Sequence, residues 1–331
     1  MKTTTDKATM VPMTVEYQPA WLTWVASVTG CLKALGLDVD TTDVAAYSSY
    51  AFVMSVHEEL CPSGPTVFDW GQLTIGINFL GRSTLCHMTA DCHTGEYIND
   101  RTREHCRYAF EIVEKEIREG RPCVIWGTYV PEFGIAVGVE DGKYHVKTFK
   151  ECIKEEQPPI PYDGIEAPGG PYVLAFPTPT GHGICQWGDE WALRKGLRNL
   201  RAKGDNAKYG YGLDAYNFWV RALESGKANA HGAAFNAQCW AEAKRFIREF
   251  LTRAAGRNEK PAGILKEAIT HYDTVCAAMD EVAKLFPFPP GDQVKDEKIQ
   301  TAAMEYLKKA QEAEVKAVDA MSRAVGISWG D

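Results

Sequence analysis

The chain contains no uninterrupted apolar run approaching the roughly 18 to 20 residues that a membrane span requires. Its start, MKTTTDKATMVPM, lacks the apolar core of a secretory signal. Basic residues are not in excess. The 36 Lys and Arg stand against 44 Asp and Glu, a formal charge of −8, which argues against a general binder of nucleic acid or anionic membrane. The ten cysteines lack the Cys-x2-Cys spacing of a zinc ribbon or finger. With no secretory signal they are expected to be free thiols of a reducing cytoplasm, not a disulfide framework. No segment recurs closely enough to suggest a solenoid. What is present is ordinary soluble-protein composition, 45% apolar and 24% charged, in 331 residues that suffice for two cores.

The most legible stretch is RPCVIWGTYVPEFGIAVGVEDGKYHVKTF, Arg121 to Phe149. Pro122 to Gly127 and Phe133 to Glu140 are apolar runs of strand length. Lys143 to Phe149 alternates Tyr144, Val146 and Thr148 with Lys143, His145 and Lys147. Asp141-Gly142 between the last two is a strong hairpin signal, because both turn positions need φ > 0. The stretch predicts the centre and edge of an antiparallel sheet.

Around it the chain predicts helix before and helix after. Trp21, Leu22, Val25, Val28, Cys31, Leu32 and Leu35 recur at helical spacing after Pro19, with Gly36 as the stop, and describe a buried helix. Asp40 to Asp43 offers the start of a short second helix through Tyr47. Gly71 to Leu80 is expected to be helical and Ser83 to Met88 a strand. Thr102 to Glu119 is expected to form a helix closed by Gly120. Residues 154–183 hold seven prolines and predict an extended connector in which Tyr172 to Phe176 returns to the sheet. From Asp189 onward three long apolar stripes with a period near 3.6, centred on Phe235–Leu251, Ile264–Leu285 and Ile299–Met321, predict a helical bundle.

A buried amino-terminal helix, more helices, and a sheet entered through "GRPCVIWG…FGIAVGVEDGKYHV" resemble the papain-like cysteine peptidase superfamily. Within it the likeness is greatest to the bacteriocin-leader-processing peptidases and to the amino-terminal domain of butirosin biosynthesis protein H, an acyltransferase. The resemblance covers roughly residues 15–176. It implies a nucleophile at the amino end of the buried helix, near Thr23. It implies a His opening the strand before the hairpin, near Glu132, and an orienting residue near Thr148. None of the three is the superfamily's residue, and Cys31 lies about two turns too deep in the helix. The resemblance therefore implies the fold without the usual triad.

Three other groupings are candidates for chemistry. His57 and Cys61 are four apart, one helical turn, beside the rigid Pro62-Ser63-Gly64-Pro65 loop and Asp69. A Cys/His pair suits a nucleophile with its base or two metal ligands; a packed cysteine and a surface histidine are the plainer alternative. Cys86-His87, Cys92-His93 and His105-Cys106 form a soft-ligand cluster without finger spacing, in which neighbours on a strand face opposite ways. Glu132 stands among Trp126, Tyr129 and Phe133, where a carboxyl can act as general acid or base or hold a ligand amine.

These readings describe an α+β protein. A papain-like domain over residues 1–183, with an antiparallel sheet and a buried amino-terminal helix, precedes an all-α bundle over 184–331 that covers part of the cleft. Cys61, His57 and Glu132 are the expected catalytic residues. Thr23, Trp24, Asp69, Trp126, Tyr129, His231 and Asn236 are expected to line the substrate site. The expected function is hydrolysis or acyl transfer on an amide, thioester or amino-acid-like small molecule. A catalytically silent binding protein of the same fold and a zinc-binding protein are the alternatives. Neither cofactor, nucleic acid nor membrane is expected, and a homo-oligomer is compatible with the sequence.

Overall fold

A computed structural model describes residues 8–88, 100–165, 170–204, 206–327 and 329. Helix makes up 55% and strand 12%, so helix dominates an α+β fold with an antiparallel sheet. The first part of the chain supplies β1 (Thr9–Met10), α1 (Thr23–Ala34), α2 (Thr41–Tyr47), β2 (Ser55–His57), β3 (Leu85–Met88) and α3 (Asp100–Arg118). It continues through β4 (Cys123–Trp126), β5 (Phe133–Glu140), β6 (Lys143–Lys147), α4 (Lys150–Ile153), β7 (Ile160–Pro161) and β8 (Tyr172–Ala175). Then come α5 (Gln186–Leu200), β9 (Tyr209–Tyr211), α6 (Ala215–Glu224), α7 (Ala230–Arg257), α8 (Ala262–Leu285) and α9 (Glu297–Val325). Among the described residues no helix is long and apolar enough to cross a membrane.

These elements group into two compact units. Met1–Val44 with Ile77–Gly183 forms the first, and Ala45–Gly76 with Ile184–Asp331 the second. The division after Gly183 falls where the composition changes. The inclusion of residues 45–76 with the helices does not follow the single boundary expected from the sequence; the rings of Tyr47 and Phe52 each meet Phe250 edge-on at 6.2 Å, and a buried polar bond accompanies them. The Tyr47 hydroxyl donates to Asp189 Oδ1 of α5 at 2.8 Å, and both side chains are fully buried.

In the first unit the sheet runs β3-β8-β4-β5-β6-β7, every pair antiparallel, with β1 added alongside β5 at Val139 and Gly138. The hairpin at Asp141 (φ 45°) and Gly142 (φ 73°) is formed as the sequence predicts. β5 is buried over Phe133–Val139, and β6 alternates buried Tyr144 and Val146 with more accessible neighbours. The strand returning from the Pro-rich segment, β8, lies between β3 and β4.

Helix α1 packs on this sheet and is buried from Trp24 to Leu32. Its close approach depends on Gly30, where a Cβ would stand 2.5 Å from the Glu16 carbonyl oxygen and 2.6 Å from Ile135. It begins at Thr23, not near Pro19, because Leu22 has an extended ψ of 86°. α2 starts with reciprocal bonds between Asp40 and Asp43, side chain to amide at 3.0 and 3.1 Å, the pattern of a capping box. The stretch expected as one helix over Gly71 to Leu80 is instead two 3-10 runs, Trp70–Leu73 and Ile75–Leu80.

The second unit is built on buried charge as well as apolar stripes. Lys244 of α7 and Glu314 of α9 are wholly buried, with Nζ 2.8 and 2.9 Å from the two carboxylate oxygens. Tyr216 of α6 and Tyr272 of α8 each donate to the same carboxylate at 2.8 Å. One acidic side chain thus ties four helices at fixed register. Asp189 is anchored comparably by Tyr47, Arg257 and Asn258 at 2.7 to 2.9 Å.

A buried carboxylate with its partners removed retains the desolvation cost without the compensation. Lys244→Met is therefore expected to destabilise the protein by about 3 to 5 kcal/mol, with Lys244→Met/Glu314→Leu recovering much of the loss. Denaturant unfolding of the two variants checks this; equal losses in both would contradict it.

Candidate functional site

The residues expected to form the site fall into two groups. Thr23, Trp24, Trp126, Tyr129 and Glu132 belong to the first unit, and His57, Cys61, Asp69, His231 and Asn236 to the second.

In the first unit the turn from β4 to β5 determines where Glu132 sits. The amides of Gly127 and Thr128 donate to the Glu132 carbonyl at 3.0 and 3.1 Å, and the Glu132 amide donates to Val130 at 2.6 Å. Tyr129 takes the left-handed conformation, φ 64°, that such a tight loop needs. The carboxyl is directed to the amino end of α1, where the Thr23 hydroxyl donates to Glu132 Oε2. Thr23 Oγ1 in turn accepts the Phe133 amide at 3.2 Å. Burial pushes the Glu132 carboxyl up from 4.5 to about 7, with the Thr23 hydroxyl opposing the shift.

Aromatic residues of β4, β5 and β8 pack against one another. Trp126 and Phe133 have ring centres 4.6 Å apart, and Phe133 meets Tyr172 edge-on at 5.4 Å. Trp24 is buried and donates its indole N–H to the Tyr172 hydroxyl at 3.0 Å, so its polar atom is engaged inside the fold. Tyr129 donates to the Pro158 carbonyl at 2.6 Å, and Lys150 Nζ stands 4.2 Å above its ring. Thr148 donates through its hydroxyl and amide to Gln157 Oε1 at 2.8 and 2.7 Å.

In the second unit, His57 and Cys61 do not share a helical face. His57 ends strand β2 opposite Tyr209, and the chain then turns through Leu60 at φ 52°. The four-residue spacing is that of a turn because the β2–β9 ladder holds His57 extended. His57 Nδ1 accepts the Glu59 amide at 3.1 Å, and its ring meets Tyr209 edge-on at 4.9 Å. Cys61 Sγ instead accepts from the Ser63 hydroxyl at 2.9 Å, and Ser63 and Tyr209 hydroxyls are 2.8 Å apart. With Ser63 donating to sulfur, Tyr209 is the donor to Ser63. Burial raises the Tyr209 phenol, which keeps it protonated as a donor.

Asn236 is fully buried and braces that turn. Its amide nitrogen donates to the Cys61 and Gly232 carbonyls at 3.1 and 2.8 Å, while its oxygen accepts the Trp240 indole at 3.2 Å. Asp69 is exposed and caps a 3-10 turn by accepting the Gly71 amide at 2.9 Å. His231, in the first turn of α7, is exposed with its ring near Phe235 and Phe288.

The soft-ligand cluster is only partly formed among the described residues, since Cys92 and His93 lie outside them. Cys86 hydrogen-bonds Tyr172 on one face of β3, whereas His87 on the other stacks 5.7 Å from His105 of α3. Cys106 is buried and its thiol is pushed up to about 11. No group of three or more metal-ligating side chains converges among the described residues.

Neither Ser63 nor the Ser63–Tyr209 contact stands out in the sequence, because the two residues are 146 positions apart. The direct Thr23–Glu132 bond spans 109 positions, and only the family resemblance puts those residues near one cleft. Compared with protein-family models and with curated proteins, the chain matches none.

A carboxyl raised in the folded state stabilises below its unfolded value of 4.5, and that stability is lost as pH rises to about 7. Glu132→Gln should abolish this component, making the variant's stability relative to the parent greater at pH 8 than at pH 4 by up to about 3 kcal/mol. Urea unfolding at both pH values measures it. For the second group, Ser63→Ala should slow iodoacetamide labelling of Cys61 roughly tenfold by removing a donor to the thiolate. An unchanged rate by mass spectrometry would assign Ser63 no such role.

Proposed function

We propose that the first unit is a papain-like domain in which Thr23 and Glu132 replace the usual thiol and imidazole. On this reading it hydrolyses or transfers the acyl group of an amide, thioester or amino-acid-like small molecule. The observation that carries the reading is the hydrogen bond from the Thr23 hydroxyl, at the first position of a buried helix, to a carboxyl held near 7. A nucleophile and base in direct contact, with the base poised at neutral pH, are what covalent acyl transfer needs. Burial of the carboxyl supports it by limiting water there.

The proposed steps follow from that contact. Glu132 takes the Thr23 proton as Oγ1 forms a bond to the acyl carbon, and protonated Glu132 returns that proton to the departing amine, thiol or alcohol. A water molecule, activated by Glu132, then cleaves the acyl-threonine, or an acceptor amine takes the acyl group in its place. The sequence assigns no step to Cys61 or His57; Cys61 hydrogen-bonds Ser63, and His57 hydrogen-bonds the Glu59 amide.

A second reading, a silent binding protein that uses Glu132 to hold an amine, draws on a different observation. Thr23 Oγ1 is engaged as donor and acceptor at once, and Lys150 already stands over Tyr129 as a ligand amine would. Assays with aryl esters, thioesters and aminoacyl amides separate the two. The catalytic reading expects kcat/KM to rise with pH through a midpoint near 7. It also expects losses of about 10²- to 10⁴-fold in Thr23→Ala and Glu132→Gln, with Thr23→Ser active. Absence of turnover together with amine binding that Glu132→Gln abolishes would establish the second reading instead.

A further inference from the structure

The carboxyl-terminal half of α5, in the second unit, carries positive charge that the bundle leaves unanswered. Residues 194–203 hold Arg194, Lys195, Arg198, Arg201 and Lys203 and no acidic residue, in a chain whose formal charge is −8. The helical neighbours of Arg198 are Arg194 and Lys195 on one side and Arg201 and Ala202 on the other, so every charged one repels it. Arg198 is exposed and makes no hydrogen bond or ion pair among the described residues. Its charge is felt next door, where burial and then Arg198 lower the Lys195 pKa. Like charges at this spacing cost a helix stability, and here no side chain offsets the cost.

The same face borders a cavity. Arg194, Leu197, Arg198 and Arg201, at helical spacings of three and four, line a surface cavity of about 420 Å³ together with Val325 at the end of α9. Two of the arginines are held in place. Arg194 donates to the Val325 carbonyl at 2.5 Å and to Glu190 Oε1 at 2.6 and 2.8 Å, so its charge is met. Arg201 donates to the neutral Ser322 hydroxyl of α9. Arg198 and Arg201 therefore bring two uncompensated charges to the cavity, with most of their ten N–H donors free.

We propose that this cavity binds a small phosphomonoester, its phosphate between Arg198 and Arg201 and its organic part against Leu197 and Val325. The guanidinium fork matches phosphate oxygens in pairs, and two such charges match a dianion where a carboxylate supplies only one. The volume is that of a site for a small molecule and exceeds what a bare phosphate fills. The proposal is independent of the acyl chemistry assigned to the first unit.

The test is calorimetric titration of the full chain at low ionic strength with phenyl phosphate, inorganic phosphate, benzoate and a short deoxythymidine oligonucleotide separately. One phenyl phosphate per chain is expected, bound more tightly than inorganic phosphate and roughly tenfold or more tighter than benzoate. Arg198→Gln and Arg201→Gln should each weaken phenyl phosphate binding about tenfold or more. Arg198→Lys keeps the charge without the fork and should recover only part of that loss. Arg248→Gln, on α7 and paired with Asp273, should change nothing. Without ligand, Arg198→Gln should melt at or above the parent's temperature, because it removes repulsion and breaks no bond. Absence of stoichiometric binding, binding unaffected by Arg198→Gln, or an equal loss in Arg248→Gln would overturn the proposal. So would an Arg198→Gln variant that melts below the parent, or an oligonucleotide that binds more tightly than phenyl phosphate.

Discussion

A carboxyl group withdrawn from water and given a hydroxyl as its partner sets the character of the first unit. Glu132 can occupy its position only because the Gly127–Glu132 loop satisfies its own amides internally and directs the side chain to the amino end of α1. That helix lies close to the sheet because Gly30 has no side chain to separate it from Ile135. Burial then raises the carboxyl toward neutrality. Helix placement, loop geometry and acidity are thus one linked arrangement, and the proposed acyl chemistry draws on all three.

The second unit solves a different problem. Its helices carry apolar stripes, and buried polar groups lie among them. Glu314 receives Lys244, Tyr216 and Tyr272, and Asp189 receives Tyr47, Arg257 and Asn258. Such pairs add little net stability over apolar packing, but they penalise any alternative that leaves a charge uncompensated. Residues 45–76 join this arrangement through Tyr47, which completes the Asp189 site.

Local chemistry was readable from the sequence wherever a short stretch decides the outcome. Asp141-Gly142 determines its turn, Asp40 and Asp43 cap α2, and alternation in Lys143–Lys147 assigns the faces of β6. Readings failed where a distant partner decides. His57 and Cys61 look like one helical turn until Tyr209 pairs with His57 across a strand ladder. Gly71–Leu80 has helical composition, but it forms two 3-10 runs around Thr74, and a Cβ on Gly76 would meet the Tyr47 carbonyl. Asn236 reads as a polar group free for a ligand, yet its amide is committed to Cys61, Gly232 and Trp240. Glu132 is intermediate. Its aromatic neighbours in sequence point to a raised pKa, while its bond to Thr23 depends on a helix more than a hundred residues earlier.

The acidity of Glu132 is the quantity on which the functional reading turns, and it can be observed directly. Carboxyl-selective ¹³C NMR of glutamate-labelled protein, with the Glu132 resonance assigned by its loss in Glu132→Gln, would follow the group through its titration. The account predicts a midpoint near 7 in the folded protein. A midpoint at the ordinary value near 4.5 would mean that the carboxyl is solvated and would contradict it.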